Sequence, residues 1–354
     1  MAARSAIGLD IGTSGVRAAE LRFAKGETVL ERFGQVALRE GAVRDGEVID
    51  TAAVASAIKD LWSHTRFSGK KVAIGVANQR VVVRQVELPW MPLAELRASL
   101  TFQVADLVPM PVDQALLDFQ PLEEAEDGNG TRVWRGLLVA AARDTVMGNI
   151  AAVQAAGLEP VMVDLTSFAV IRALATPDHL GMGARTEALV DVGARVTNIV
   201  VHEGGVPRFV RILLAGGQDL TDAVAERMGV PALQAEALKQ EIGVTGQVVA
   251  PDLAPAARVV ESAAAGFVDE IRGSLDYYMA SSGLPPVSKL RLTGGGSRLQ
   301  GLADRLQAAT RIPVERGNPL ESLRLGSTGL SDAQLAFVEP LAAVPVGLAL
   351  GVAA

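Results

Sequence analysis

The 354-residue chain contains no cysteine. Disulfides, zinc–thiolate sites and thiol nucleophiles are therefore excluded, which fits a reducing compartment without requiring one. Aromatic residues make up only 4%. The core must then be built mainly from Ala, Val, Leu and Ile, and nucleic-acid bases would find few stacking platforms. No run of Lys and Arg stands out in a chain of formal net charge -7, which argues against nucleic acid as a partner and against a polybasic membrane anchor. His64, His179 and His202 are the three histidines; they are far apart, in no metal-ligand spacing, and read as ordinary surface or core residues. No apolar run reaches the ~20 residues that a bilayer span needs. The most apolar stretch, Leu341 to Ala354, contains Pro345 and reads as a buried terminal helix. Asp10, inside the first apolar run, speaks against a secretory signal, so a cytoplasmic start is expected.

What is present fits a globular protein of about two domains: 49% apolar and 21% charged residues. Ile7 to Asp10, Gly15 to Phe23 and Thr28 to Leu38 read as strands. Asp50 or Thr51 caps a helix with a buried stripe of Val54, Ile58, Leu61 and Trp62. Lys71 to Leu88 is strand-like with a break at Asn78-Gln79. Leu93 to Val108 is helical, with Leu96, Leu100, Val104 and Leu107 in register, and Trp90 before it reads as an anchoring core residue, with a partner contact as the alternative. Two strands, Ala115 to Leu122 and Arg132 to Ala142, flank an acidic solvated loop, Glu123 to Gly130. A helix to Ala156 and a strand from Pro160 follow. The order from 71 to about 163 is that of a self-contained split βαβ unit inserted into a larger domain. Further on come a strand pair within Ala188 to Val201, helices at Gly217 to Met228 and Pro231 to Ile242, and a long helix from Ala256 to Ser282, ended by Gly283. Glu40 to Asp45 and Gly317 to Asp332 are polar connections.

One long-range repeat carries chemistry. Leu9-Asp10-Ile11-Gly12 returns as Val190-Asp191-Val192-Gly193, each followed by a second strand. A Gly-containing hairpin turn lets backbone N–H groups approach an anion. Hydroxyls at Thr13, Ser14 and Thr197 would add donors, and Arg17 would either meet phosphate or be simply a hairpin charge. Asp10 and Asp191 alone would repel phosphate. Around hydrated Mg²⁺ they become attractive, since that ion keeps several waters and takes carboxylate and phosphate oxygens together. The third piece is the strand end Leu292-Thr293 leading into Gly294-Gly295-Gly296-Ser297. Bare glycines there give flat access to a ring or a phosphate. No Lys-Ser/Thr pair follows them, so this is not a Walker A loop.

These three segments resemble the two phosphate motifs and the adenosine motif of the actin-like ATPase superfamily. The resemblance implies an α/β fold in which two ribonuclease-H-like domains close on ATP and Mg²⁺. Asp10, Gly12, Thr13, Ser14, Gly15 and Arg17 would form the first phosphate loop, and Asp191, Gly193 and Thr197 the second. Gly294, Gly295, Gly296 and Ser297 would face the adenosine. Ala235-Glu236-Ala237-Leu238-Lys239 looks like the helix contacting ribose and adenine, through Glu236 and Lys239. Asp10 and Asp191 would hold Mg²⁺ through water. Asp164 maps to the position of a water-orienting carboxylate, although an Asp before Thr166-Ser167 also suits a helix cap. Arg195 and Val196 are bulkier than the residues common in the second loop.

Within the superfamily, Val83-Arg84-Gln85-Val86-Glu87-Leu88-Pro89-Trp90-Met91-Pro92, Val108-Pro109-Met110-Pro111 and Ala156-Gly157-Leu158-Glu159-Pro160 are similar to blocks of the PilM family of type IV pilus proteins. That likeness implies a first domain over 1–70, completed by 164–186 and 335–354, an inserted subdomain over 71–163, and a second domain over 187–334. It also implies a cytoplasmic ATP-binding scaffold with at most slow hydrolysis, recruited to the inner membrane through the tail of a PilN-like partner in a pilus assembly complex, without inserting itself. An FtsA-like filament-forming ATPase and a small-molecule kinase of the same superfamily are the alternatives.

Overall fold

A computed structural model describes residues 4–24, 26–175, 185–247, 250–281 and 285–353; His179, Ser282 and Gly283 lie outside them. Arg4–Ile11, Gly15–Ala24 and Glu27–Ala37 form an antiparallel meander. Lys71–Val76 adds to its first strand in parallel, and Glu159–Leu165 adds outside that. The second half repeats this plan. Thr186–Val192, Thr197–Glu203 and Val206–Leu213 form a meander, and Lys289–Thr293 and Val314–Arg316 add in parallel beside its first strand. The two sheets thus share one strand order, and the repeat seen in the sequence is a repeat of topology. A short strand, Arg324–Leu325, crosses back to pair with Val29 and Leu30 of the first sheet.

Two helices lie between the sheets. Thr166–Leu174 and Ala343–Ala353 share one apolar cluster with Ala19 and Leu21 of the first sheet and with Leu189 and Val200 of the second. The terminal helix lies so close to the first strand that a Cβ on Gly8 would meet the Pro345 carbonyl oxygen at 2.0 Å. No single described helix is long and apolar enough to cross a membrane. Asp332–Leu341 and Ala343–Ala353 pass such a test only as a pair bent by 74°, and the second member is the buried helix just described. On the outer face, Thr51–Thr65 packs Val54, Ile58 and Leu61 against the first sheet. Its cap is Asp50, whose carboxylate accepts from the Ala53 N–H at 2.8 Å.

A third, antiparallel sheet has the order Val81–Pro89, Arg132–Ala142, Ala115–Glu126, and it departs from expectation in four ways. First, the break at Asn78-Gln79 is a change of sheet. Lys71–Val76 and Glu159–Leu165, expected within the inserted unit, belong to the six-stranded sheet. Second, the helix expected to reach Val108 spans only Leu93–Gln103. Leaving it there buries Val108 and exposes Leu107, and Pro109 disfavours helical backbone at Val108. Third, the acidic loop is mostly strand: Glu123 faces and ion-pairs with Arg135 across the ladder, and Glu124, opposite Trp134, reaches Arg132 diagonally. The turn shrinks to Asp127–Gly130, where Asp127 accepts from the Asn129 and Thr131 N–H groups. Fourth, Trp90 is not a core anchor. It is 40% exposed, with the Arg132 guanidinium 4.1 Å from its ring centre.

Candidate functional site

The two equivalent hairpins face one cleft of about 600 Å³, within the range of small-molecule sites. Both turns close the same way: the Gly12 N–H donates to the Gly15 carbonyl at 3.0 Å, and the Gly193 N–H to the Val196 carbonyl at 3.0 Å. Each acidic residue enters its turn at the end of a first strand. Across the ladder, Asp10 faces Arg17 and Asp191 faces Asn198.

The electrostatics of the pair are uneven. Burial pushes the Asp10 carboxyl up, against the opposing pull of Arg17, whose Nη1 lies 3.5 Å from Asp10 Oδ2. Asp191 is pushed up to about 7, first by burial and then by the charge of Asp10, with the Asn198 hydrogen bond and Arg17 opposing. Asn198 Nδ2 donates to Asp191 Oδ2 at 3.5 Å, and Ser167 Oγ donates to Asn198 Oδ1 at 3.3 Å. A divalent cation beside these two carboxylates, of which Asp10 raises the proton affinity of Asp191, would relieve both. No group of three or more His, Cys, Asp or Glu side chains among the described residues could hold a metal ion by itself, so a cation here would take its remaining ligands from water and from its companion anion.

Most of the expected residues reach the cleft: Asp10, Gly12, Thr13, Ser14 and Arg17 from the first hairpin, Asp191 and Gly193 from the second, Glu236 and Lys239 from helix Ala232–Ile242, and Gly294, Gly295 and Gly296. Residue size matters at the glycine loop. A Cβ on Gly294, which has φ +84°, would lie 2.4 Å from the Val192 carbonyl oxygen, and one on Gly296 would lie 2.4 Å from Val192 Cγ1. The loop therefore lies directly on the second hairpin while its other side faces the cleft.

Four expected residues do not line the cleft. Gly15 is buried at the closing position of its turn. The Thr197 hydroxyl donates to the Ala215 carbonyl at 2.7 Å, and the Ser297 hydroxyl to that of Gly294 at 2.6 Å, so both are engaged internally. Asp164 is ion-paired with Arg172, whose Nε donates to the Gly347 carbonyl. It does not cap the following helix either, whose N-cap is Leu165 without a side-chain bond. Lys239 lines the cleft with its ammonium already occupied by the Gly217 carbonyl, the Thr221 hydroxyl and Glu236, at 2.9, 2.9 and 2.7 Å. It braces two helices.

Arg195 is bulky but folded aside onto Asp219 and Asp222, at 3.1 and 2.5 Å, which leaves the backbone of its turn facing the cleft. Sequence reasoning missed Asn149, Thr166, Asn198, Thr221 and Leu233, which also line it. Asn198 alone had a signal, as the residue opposite Asp191 in the hairpin.

Two like halves with paired acidic hairpins around a cleft define an actin-like ATPase fold. MreB5 of Spiroplasma citri bound to ADP is a fold neighbour at TM-score 0.52 and 12% identity, covering 96% of this chain and 95% of that one. FtsA of Streptococcus pneumoniae serotype 2 (strain D39), a cell division protein, is 25% identical over 348 residues, covering 87% of this chain and 74% of FtsA. The similarity is greater to a solved PilM-PilN type IV pilus biogenesis complex, at TM-score 0.83 and 28% identity over 98% of both chains. The family profile described as Type IV pilus assembly protein PilM matches residues 8–352, and the chain belongs to that family.

Proposed function

We propose that this chain is a nucleotide-loaded scaffold of a type IV pilus assembly complex. It binds Mg-ATP between its two hairpins and, so loaded, receives the cytoplasmic tail of a PilN-like inner-membrane protein. The observation that carries the nucleotide reading is the convergence of Asp10 and Asp191, with their two glycine turns, on one cleft. The chemistry of the donor set fits magnesium: two carboxylates, both raised by burial, with room for water. Asp10 and Asp191 would hold the ion, whose charge would make the two carboxylates compatible with a bound phosphate. The N–H groups of the two turns and Arg17 would hold the phosphates, and the Gly294 to Gly296 face with Glu236 would take the nucleoside. Hydrolysis is at most slow in this reading, because Asp164 is held by Arg172 outside the cleft.

The inserted unit in this reading is the three-stranded sheet with its helix, within about 78–142, and the first and second domains are built on the two larger sheets. Beside the insert, Glu159–Leu165 is an edge strand that exposes Val161 and Val163, at 45% and 37%. An extended tail suits such an edge: main-chain bonds supply affinity and alternate side chains supply specificity. Recruitment through that tail would place the chain at the cytoplasmic face of the inner membrane.

Calorimetric titration of Mg-ATP into wild type, Asp10→Ala and Asp191→Ala tests the site. About one ATP per chain is expected, weakened at least tenfold in each variant; no binding to folded wild type would sink the nucleotide reading. A synthetic PilN-like tail titrated with and without ATP then tests the partner.

A further inference from the structure

Each half brings one arginine to its turn, and the two arrive from different places. Gly12-Thr13-Ser14-Gly15 and Gly193-Ala194-Arg195-Val196 correspond position by position, each closed by the first N–H on the fourth carbonyl. In the first half the cation comes from the strand. Arg17 faces Asp10 across the ladder, 3.5 Å away, and its Nη2 donates to the Ser14 hydroxyl at 3.1 Å. In the second half that strand position is Asn198. The cation stands in the turn itself instead, as Arg195, at the place of Ser14.

The second turn is held from behind. Its Gly193 and Ala194 carbonyls accept from the Gly217 and Gln218 N–H groups, at 3.0 and 2.7 Å, where helix Gly217–Met228 begins. A trans peptide sets its N–H opposite its C=O, so the Ala194 and Arg195 N–H groups point away from that helix, and both residues line the cleft. The start of the turn adjoins the glycine loop: a Cβ on Gly296 would lie 2.4 Å from Val192 Cγ1, and one on Gly217 would lie 3.6 Å from Gly296 Cα and 3.8 Å from the Gly193 carbonyl oxygen. A phosphate chain leading from a nucleoside at that loop therefore meets Gly193 first and Arg195 last.

Arg195 is only half engaged. Its bonds to Asp219 and Asp222 both leave from Nη1. The other edge of the guanidinium, Nε with Nη2, has no partner among the described residues. Such an edge is the fork that takes two oxygens of one phosphate. The two carboxylates are 43% and 41% exposed, so these pairs hold the side chain weakly. Each carboxylate has a second donor, the Gly216 N–H for Asp219 at 2.7 Å and Gln218 Nε2 for Asp222 at 3.0 Å, and neither is left bare when Arg195 departs.

Resting on the nucleotide reading above, we propose that Arg195 is a phosphate ligand held in reserve, which leaves Asp219 and Asp222 when a nucleoside triphosphate binds and closes its free edge on the terminal phosphate. The exposed pairs given up are weaker than the charge-assisted, two-pronged one gained. A diphosphate ends short of Arg195 and leaves it on its carboxylates, so this residue sets a preference for triphosphate. It acts by binding and transfers no proton.

The test is calorimetric titration of Mg-ATP and of Mg-ADP into the full chain, as wild type, Arg195→Ala, Arg195→Lys and Asp222→Asn. Arg195→Ala should weaken Mg-ATP by about tenfold or more and Mg-ADP by less than about threefold. Arg195→Lys keeps the charge without the fork and should fall between wild type and Arg195→Ala. Asp222→Asn removes a competitor of the phosphate and should tighten Mg-ATP by about threefold, whereas a mere brace of the turn, once loosened, would weaken both nucleotides. Equal losses for the two nucleotides in Arg195→Ala, no loss for either, or weaker Mg-ATP binding in Asp222→Asn would each overturn the proposal while leaving the nucleotide reading intact. Wild type that binds neither nucleotide removes both.

Discussion

Asp10 and Asp191 occupy the same place in two hairpins of the same build, yet Arg17 stands across the ladder from one and Asn198 from the other. The first half carries its own counter-cation, which offsets part of the cost of burying the Asp10 carboxylate. The second half offers only an amide, and Asp191 holds its proton to about pH 7. The first hairpin is thus set for an anion, while the second needs an incoming cation before its carboxylate ionises readily. The halves also differ two residues earlier. Gly8 brings the terminal helix onto the first strand, whereas the second strand has Leu189 at that position, buried in the shared cluster. Duplicated topology has been kept, and the residues beside each carboxylate have been divided between tasks.

The harshest way to break this asymmetry is to erase it in the packing. Gly8→Leu would give the first strand the residue of the second, where the Pro345 carbonyl leaves no room for a Cβ. We expect a loss of about 3 kcal/mol or more, read by thermal unfolding; an unchanged melting temperature would mean that the terminal helix can move off the strand.

Next in size is the pair Asp191→Asn and Asp10→Asn, compared without nucleotide at pH 8. The first removes a buried, poorly paired charge and should raise stability by on the order of 2 kcal/mol. The second removes a charge whose burial Arg17 already offsets in part, so any gain should be smaller, about 1 kcal/mol or less. Both should lose the stabilisation that Mg-ATP confers on wild type. Equal gains for the two variants in the empty protein would contradict the assigned roles of Arg17 and Asn198.

The pH dependence sharpens the same contrast. Asp191 keeps its proton up to about 7 when folded and releases it near 3.8 when unfolded. Between those values the folded state binds more protons, so this residue's contribution is most favourable below about 4 and is lost as pH rises through 7. The advantage of Asp191→Asn over wild type should therefore grow from pH 4 to 7 and level off above. Parallel stability curves from chemical denaturation would show that Asp191 is not the titrating group.

Legibility from the sequence followed the range of the interactions involved. The repeated Asp-x-Gly hairpins and the glycine loop could be read because their chemistry is local: a tight turn, a small residue, a strand on each side. Most of the residues so identified do face the cleft. What could not be read depends on the third dimension. Thr197 and Ser297 carry suitable hydroxyls, but Ala215 and Gly294 already take them. Lys239 has its three donors occupied by groups 22, 18 and 3 positions away. The sheet change at Asn78 was visible only as a break. Asn149 and Thr166 carry no motif; they come to line the cleft only through the packing of the two helices that bear them.

Thr197 provides the gentlest test of the comparison, since it follows the second turn as Val16 follows the first. Sequence chemistry made its hydroxyl a phosphate donor; the fold makes it a bolt holding the turn to the Ala215 carbonyl. Thr197→Val keeps the shape and removes the donor, leaving that carbonyl unsatisfied. Stability should fall by about 1 kcal/mol, while Mg-ATP affinity stays within twofold because the hydroxyl never reaches the cleft. A drop in affinity of tenfold or more, with stability unchanged, would instead mean that the second turn rearranges on binding and lends its hydroxyl to the nucleotide. The two hairpins would then be more alike when loaded than when empty.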